Sequence, residues 1–231
     1  MSMAVLLFPK NTAPRRDRAF TLLELLVVVG LMVLLSAGIG FSLGDSGGNS
    51  LASAQKTLAG LVGTARAQAA VHQTEARLLI YASRPPSGDA EKFLRLLQVF
   101  RAEPAGSGNW VPVGSPVYLP RGIFLVPPST AGLLAGGIVW PSDPAPVSTV
   151  DTDTAPGEPG SAFNGASVVY YLEFAPDGTL TPSTGRPRVA LALATAATVN
   201  GLPQFNNPGA VRGLLLRTSG AIGFANDAAG F

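Results

Sequence analysis

The stretch "RRDRAFTLLELLVVVGLMVLLSAG" (residues 15–38) decides how the rest of the chain is read. Three arginines and one aspartate stand before an apolar run, and one carboxylate, Glu24, lies near its start. From Leu25 to Leu43 there are 19 residues without a charge. At about 1.5 Å per residue a helix of that length nearly crosses a hydrocarbon core of roughly 30 Å, and counting from Phe20 adds another turn. The arginines ahead of the run and Asp45 behind it place the N-terminus in the cytoplasm and the remainder across the membrane.

Three readings of this stretch compete. One is a plain single-pass anchor. Another is a secretory signal, with an apolar region at Leu25–Leu35 and small residues at Ser36–Gly38 for cleavage. Neither explains Glu24. A carboxylate at a bilayer centre costs about 2.5–3.5 kcal/mol, so an ionisable residue here is a functional hypothesis that needs a partner.

The third reading supplies one. "RDRAFTLLELLVVVGLMVLLSAG" resembles the N-terminal processing motif of type IV pilins and type II secretion pseudopilins. In that family a prepilin peptidase cuts a short basic leader on the cytoplasmic side, usually after Gly. The new N-terminus, usually Phe, is N-methylated, and a Glu stands fifth in the mature chain. Here Phe20 comes first and Glu24 fifth, and the residue before the cut is Ala19 instead of Gly. The resemblance implies cleavage between Ala19 and Phe20, at a lower rate than after Gly, and methylation of Phe20. It also implies an assembly role for Glu24, paired with the terminal amine of a neighbouring subunit. That amine is largely cationic near neutrality, with a reference pKa of about 7.7–8.0. In apolar surroundings the attraction is stronger than in water and helps offset the burial of both charges.

The composition is consistent with an anchored, turn-rich protein. Of 231 residues, 47% are hydrophobic and 13% charged, and the 27 Gly and 20 Pro favour short strands over a helical bundle. With no cysteine, disulfides and thiolate sites are excluded. The net charge of +2 belongs to the leader. Four of the 16 basic residues and one of the 14 acids precede Phe20, which leaves 12 against 13 in the body. That balance gives no electrostatic case for nucleic acid.

Beyond the apolar run, "GDSGGNS" (44–50) reads as a break, with Ser50 free to cap a new helix. From Leu51 to about His72, apolar residues at 51, 54, 58, 61, 62, 65 and 69 form one stripe, with Lys56, Arg66 and Gln73 off it. Beyond Glu75 the period becomes two. Strands are expected at 76–83, 93–100, 111–119, 122–126 and 137–140, then a surface loop over 141–166. "SVVYYLEFAPDGTL", "PRVALALAT" and "VRGLLLRTSGAIGF" follow as clearer strands, the last a hairpin turning at Ser219–Gly220. The expected fold class is α+β, with a long N-terminal helix packed on a C-terminal antiparallel β-domain. Its parts are a leader (1–19), a transmembrane assembly helix (20–43), an amphipathic helix (44–74) and a β-rich domain (75–231).

Phe174, Pro176, Asp177 and Gly178, followed by Leu214–Leu216 and Ser219–Gly220, resemble the C-terminal elements of H-type minor pseudopilins and related minor pilins. The family implies a filament subunit of the inner membrane, with its β-domain in the periplasm. Its implied partners are the prepilin peptidase, other pilins or pseudopilins and the assembly platform.

Candidate chemistry in the body is sparse. Asp177-Gly178 suits a β-turn better than a catalytic acid. Asp151, Asp153 and Glu158 are a candidate Ca²⁺ set, but the EF-hand pattern is not met and a solvated acidic loop competes. His72 is the single histidine and is expected to be a partly buried structural residue. No Gly-x-Ser-x-Gly elbow and no Gly-x-x-x-x-Gly-Lys loop occurs, so neither hydrolase nor ATPase chemistry is expected, and no cofactor. Arg186, Arg188, Arg212 and Arg217 could contact DNA, as basic residues do in some related minor pilins. However, the last nine residues carry one acid and no base, so nucleic acid is not expected as a partner. Three readings thus stand: a structural filament subunit, a DNA-capturing minor pilin, and a secreted β-domain with an ordinary signal peptide.

Overall fold

The computed structural model describes residues 25–29, 31, 46–85, 87–128, 148–157, 159–181, 188–205, 207 and 209–231. The chain divides into two compact units, Met1–Asp45 and Ser46–Phe231. In the first, residues 25–29 and 31 are helical.

The second unit opens with helix α1 (Ser46–His72). Leu51, Ala54, Leu58, Val62, Ala65 and Ala69 are buried, with Leu61 half-buried beside them, so the apolar stripe is the packed face. The alanines let the backbone approach the sheets closely. Of the break expected over 44–50, the part from residue 46 on is not there, because the helix runs through Gly47, Gly48 and Ser50; residues 44 and 45 lie outside the described residues. Each Gly costs only about 1 kcal/mol in a helix, and no proline interrupts the ladder.

Among the described residues eleven strands follow: β1 (Ala76–Tyr81), β2 (Leu96–Ala102), β3 (Trp110–Tyr118), β4 (Ile123–Leu125), β5 (Asp151–Thr154), β6 (Val168–Phe174), β7 (Arg188–Thr195), β8 (Ala197–Val199), β9 (Leu202–Gln204), β10 (Val211–Arg217) and β11 (Ile222–Ala225). They form a five-stranded sheet ordered β3-β2-β1-β6-β5, a four-stranded sheet ordered β11-β10-β7-β4, and the β8-β9 hairpin. Every pairing is antiparallel. Helix α1 packs on strands of both larger sheets. Its stripe meets Leu78 and Ile80 of β1, Leu191 and Leu193 of β7, and Leu214 and Leu216 of β10 in one core.

The five-stranded sheet has a second apolar face. Leu79, Tyr81, Leu96, Phe100 and Val169 meet Ala155 and Phe163 of the connection from β5 to β6. Strand β1 is therefore covered on both sides, and only Arg77 of its six residues is not buried. The expected loop over 141–166 is corrected here. Residues 151–154 pair with β6 as an edge strand, and Ala155 and Phe163 close a core. In Asp-Thr-Asp-Thr the strand-forming threonines alternate with aspartates, which strands disfavour, and there is no apolar residue, so no hydrophobic periodicity marked it.

The strand expected at 93–100 starts later, at Leu96, and runs on to Ala102. Phe93 and Leu94 lie in turns, where Phe93 N donates to Asp89 O and Leu96 N to Lys92 O. Leu94 has φ +57°, a strained conformation for a residue with a side chain. Its N–H donates to Tyr81 O at the end of β1, and its carbonyl accepts from Leu125 N of β4 (both 2.9 Å). Buried apolar turn residues look like strand residues when only hydrophobicity is read. The expected strand at 137–140 lies outside the described residues.

Candidate functional site

Ala19, Phe20, Glu24 and Glu158 lie outside the described residues. The helical residues just after Glu24 do not. Leu25, Leu26, Val27, Val28 and Val29 are 61, 67, 51, 45 and 52% exposed, and Leu31 54%. Five consecutive residues at 3.6 per turn go all the way round a helix, so this segment is apolar on every side. Such a surface is stable within lipid or among other helices, not in water. Among the described residues no helix is long and apolar enough to cross a membrane; most of the apolar run lies outside them.

In the second unit the two C-terminal motifs meet on α1. In the first turn, Gly178 N donates to Ala175 O and Ala175 N to Thr179 O (both 2.8 Å), with Gly178 at φ +77°. Asp177 accepts the Thr179 hydroxyl and amide at 2.6 and 2.9 Å, and these bonds hold its carboxyl below the ordinary value. Asp177 is fully exposed, so it belongs to a turn. In the second turn, Gly220 N donates to Arg217 O, and Leu180 N reaches across to Thr218 O (both 2.8 Å). Arg66 of α1 joins the two, with Nε donating to Gly178 O at 3.2 Å and Nη1 to Gly220 O at 3.3 Å. Further along α1, the buried Gln55 donates through Nε2 to Gly213 O and Ala225 O, both at 2.8 Å, and so ties the helix to the last hairpin.

Asp153 of β5 joins an ion-pair cluster with Arg77 of β1 and Glu173 of β6. Asp153 Oδ2 accepts from Arg77 Nη1 at 2.9 Å, and Glu173 Oε2 accepts from Arg77 Nε at 2.6 Å. The Arg77 guanidinium lies 4.3 Å from the ring centroids of both Trp110 and Tyr171. Burial pushes the Tyr171 hydroxyl above its ordinary pKa, and Arg77 opposes the shift. Asp151 and Asp153 face the same side of β5, as alternate residues must. Among the described residues no group of three potential ligands could hold a metal ion.

His72 is exposed, which corrects the expected partly buried residue. The buried stripe ends at Ala69, and positions 71–73 face solvent. Arg212 and Arg217 are five residues apart on β10, so they emerge on opposite faces and build no common basic patch. Arg186 and the Arg188 side chain lie outside the described residues.

Sequence reasoning did not assign roles to Gln55, Arg66, Arg77 or Trp110. Gln55 carried a signal, as a polar residue within the buried stripe. Arg77 carried another, as a charge inside a strand of otherwise apolar residues.

Residues 14–40 match the family model described as the prokaryotic N-terminal methylation motif. The match supports a type IV pilin-like or pseudopilin protein, for which processing by a prepilin peptidase and assembly with other pilins are implied. No curated protein and no solved structure matches the chain.

Proposed function

We propose that the chain is a minor pilin or pseudopilin subunit, cut between Ala19 and Phe20 and built into a periplasmic filament through its N-terminal helix. The observation that carries this reading is the methylation motif over residues 14–40, with Phe20 and Glu24 at the first and fifth positions of the mature chain. The all-round apolar surface of Leu25–Val29 supports it. A segment of this kind resides first in the inner membrane and then among the helices of neighbouring subunits. The leader arginines keep the N-terminus cytoplasmic and leave the β-domain on the periplasmic side. The protein acts by polymerising, not by catalysis. The order of helix, β-domain, Asp177-Gly178 turn and Ser219-Gly220 hairpin supports an H-type minor subunit of a type II secretion pseudopilus or a type IV pilus.

Glu24 then sets the register. Cleavage creates a cationic amine on Phe20, and Glu24 of an adjacent subunit pairs with it in apolar surroundings. N-terminal mass spectrometry of the protein from membranes tests the processing. A mature chain starting at N-methyl-Phe20 is expected; a start near Ile39 or Gly40 would mark an ordinary signal peptide and refute the proposal. Glu24→Ala tests the register: cleavage is expected to continue while incorporation into filaments is lost.

A further inference from the structure

A recess of about 220 Å³ opens beside Arg77, on the face of the five-stranded sheet that α1 does not cover, walled by Arg77, Trp110, Asp153 and Pro156, with the buried side chains of Leu79 and Val169 beneath. Its location in residues 46–231 makes it independent of N-terminal processing.

The polar wall is only half used. Arg77 has five N–H donors, and among the described residues one bond from Nε and one from Nη1 are committed. Asp153 accepts once on Oδ2 from Arg77 and once on Oδ1 from Thr154 N. A carboxylate offers about four lone-pair sites, and the Asp153 side chain is 46% exposed. Donors and acceptors in surplus therefore stand side by side, pinned by the ion pair and by the Trp110 and Tyr171 rings on the guanidinium. Arg77 and Trp110 cannot swing freely, so little ordering remains to be done on binding.

The chemistry selects among ligands. An anion meets a guanidinium already flanked by Asp153 and Glu173, so it gains little and is repelled by both carboxylates. A cation meets Arg77 in the same wall. A purely apolar ligand leaves the charged groups desolvated without partners. What fits is a neutral ring that combines an apolar C–H face with an edge of hydroxyls able to donate and accept. Pro156 and the side of the indole that Arg77 leaves open take the face, and Arg77 and Asp153 take the edge. The volume suits one such ring. We infer that this recess binds a pyranose unit, so that the β-domain recognises a neutral saccharide.

The chain has two tryptophans, so Trp140→Phe leaves Trp110 as the single indole reporter. The full chain carrying that change, in sugar-free detergent micelles, is titrated with methyl glycosides of glucose, galactose, mannose and N-acetylglucosamine and with their oligosaccharides, following Trp110 emission. A saturable change with at least one glycan is expected, with a Kd on the order of 1 mM for a single ring. Response to methyl glycosides assigns the ring itself. Response to oligosaccharides alone assigns a polysaccharide epitope, and both support the inference. Asp153→Asn keeps the side-chain shape, and near-UV circular dichroism checks its fold. It is expected to weaken binding about tenfold, a loss of about 1.4 kcal/mol. Trp110→Ala, read on a glycan array, is expected to abolish binding. The inference is overturned if no glycan gives a saturable change, if Asp153→Asn binds with unchanged affinity, or if only charged probes such as inorganic phosphate or lysine methyl ester respond.

Discussion

The carbonyl oxygen of Gly178 lies 2.7 Å from where a Cβ on Gly220 would stand. The two turns are thus in backbone contact, and Arg66 closes the third side, with its Nε 2.8 Å from the same point. Gly220 has φ +75°, so a side chain there meets conformational strain and a clash at once. Gly220→Ala is expected to destabilise the β-domain by about 2–4 kcal/mol. Gly106 is the control. Its φ is +67° with nothing within 4 Å of a would-be Cβ, so Gly106→Ala should cost only about 1 kcal/mol. Chemical denaturation of both variants measures the difference; equal losses would show that the turn contact does not matter.

Gln55 gives a second test of how the helix is held. Its side chain is 3% exposed, and one nitrogen serves both Gly213 O and Ala225 O. Gln55→Leu keeps the volume and removes both bonds. A loss of about 2–4 kcal/mol is expected, since each abandoned buried partner costs about 1–3 kcal/mol. A neutral effect in the same denaturation experiment would mean the two carbonyls find other donors.

These contacts mark what could be read from the sequence. The stripe on α1 and strands β6, β7 and β10 were legible because burial on one face or both leaves a periodic or continuous apolar pattern. Strand β5 was not, because Asp151–Thr154 owes its place to pairing with β6 and to Arg77 on distant β1. The β8-β9 hairpin did carry a signal. Asn200-Gly201, at φ +52° and +78°, is the pair that a two-residue hairpin turn of this hand favours, but its strands have only three residues each. Leu94 had none, since a left-handed leucine is held by tertiary bonds. The N-terminal methylation motif over residues 14–40 was legible, and the Arg77 recess was not, because four separate strands bring it together.

Alkaline titration probes both faces of β6, since Tyr170 packs on the core under α1 and Tyr171 on the second core. Burial raises the Tyr170 and Tyr171 hydroxyls above the ordinary value of 10.0, against smaller opposing effects of Arg84 and Arg77. A raised folded pKa gives stability that is present below the unfolded value and lost as pH rises through the folded one. Stability should therefore fall above about pH 10. Absorbance at the phenolate band should show late-ionising tyrosines that Tyr170→Phe and Tyr171→Phe remove one at a time. Tyr170 and Tyr171 ionising at the ordinary value would contradict the burial.

Asp177 shifts the other way. Thr179 hydrogen bonds lower its pKa from 3.8, so the stability it contributes is present above the unfolded value and lost as pH falls through the folded one. In an NMR titration, Thr179→Val should raise the Asp177 midpoint towards 3.8. An unmoved midpoint would assign the shift to the backbone alone.

Ala19 is where the processing motif departs from the family's usual glycine, and its one methyl group makes a kinetic prediction. A peptidase that receives the chain before Phe20 in extended form must fit whatever side chain stands there, and Gly presents none. Ala19→Gly is expected to shorten the lifetime of the unprocessed form in a pulse-chase experiment while leaving Phe20 as the mature N-terminus. Ala19→Leu should let the precursor accumulate in the membrane. The contrast separates the leader from the assembly step, because Glu24→Ala should be processed at the ordinary rate and fail only afterwards. If Ala19→Leu were cut as fast as the parent chain, the residue before Phe20 would not be read by the peptidase, and the cleavage point itself would have to be sought elsewhere.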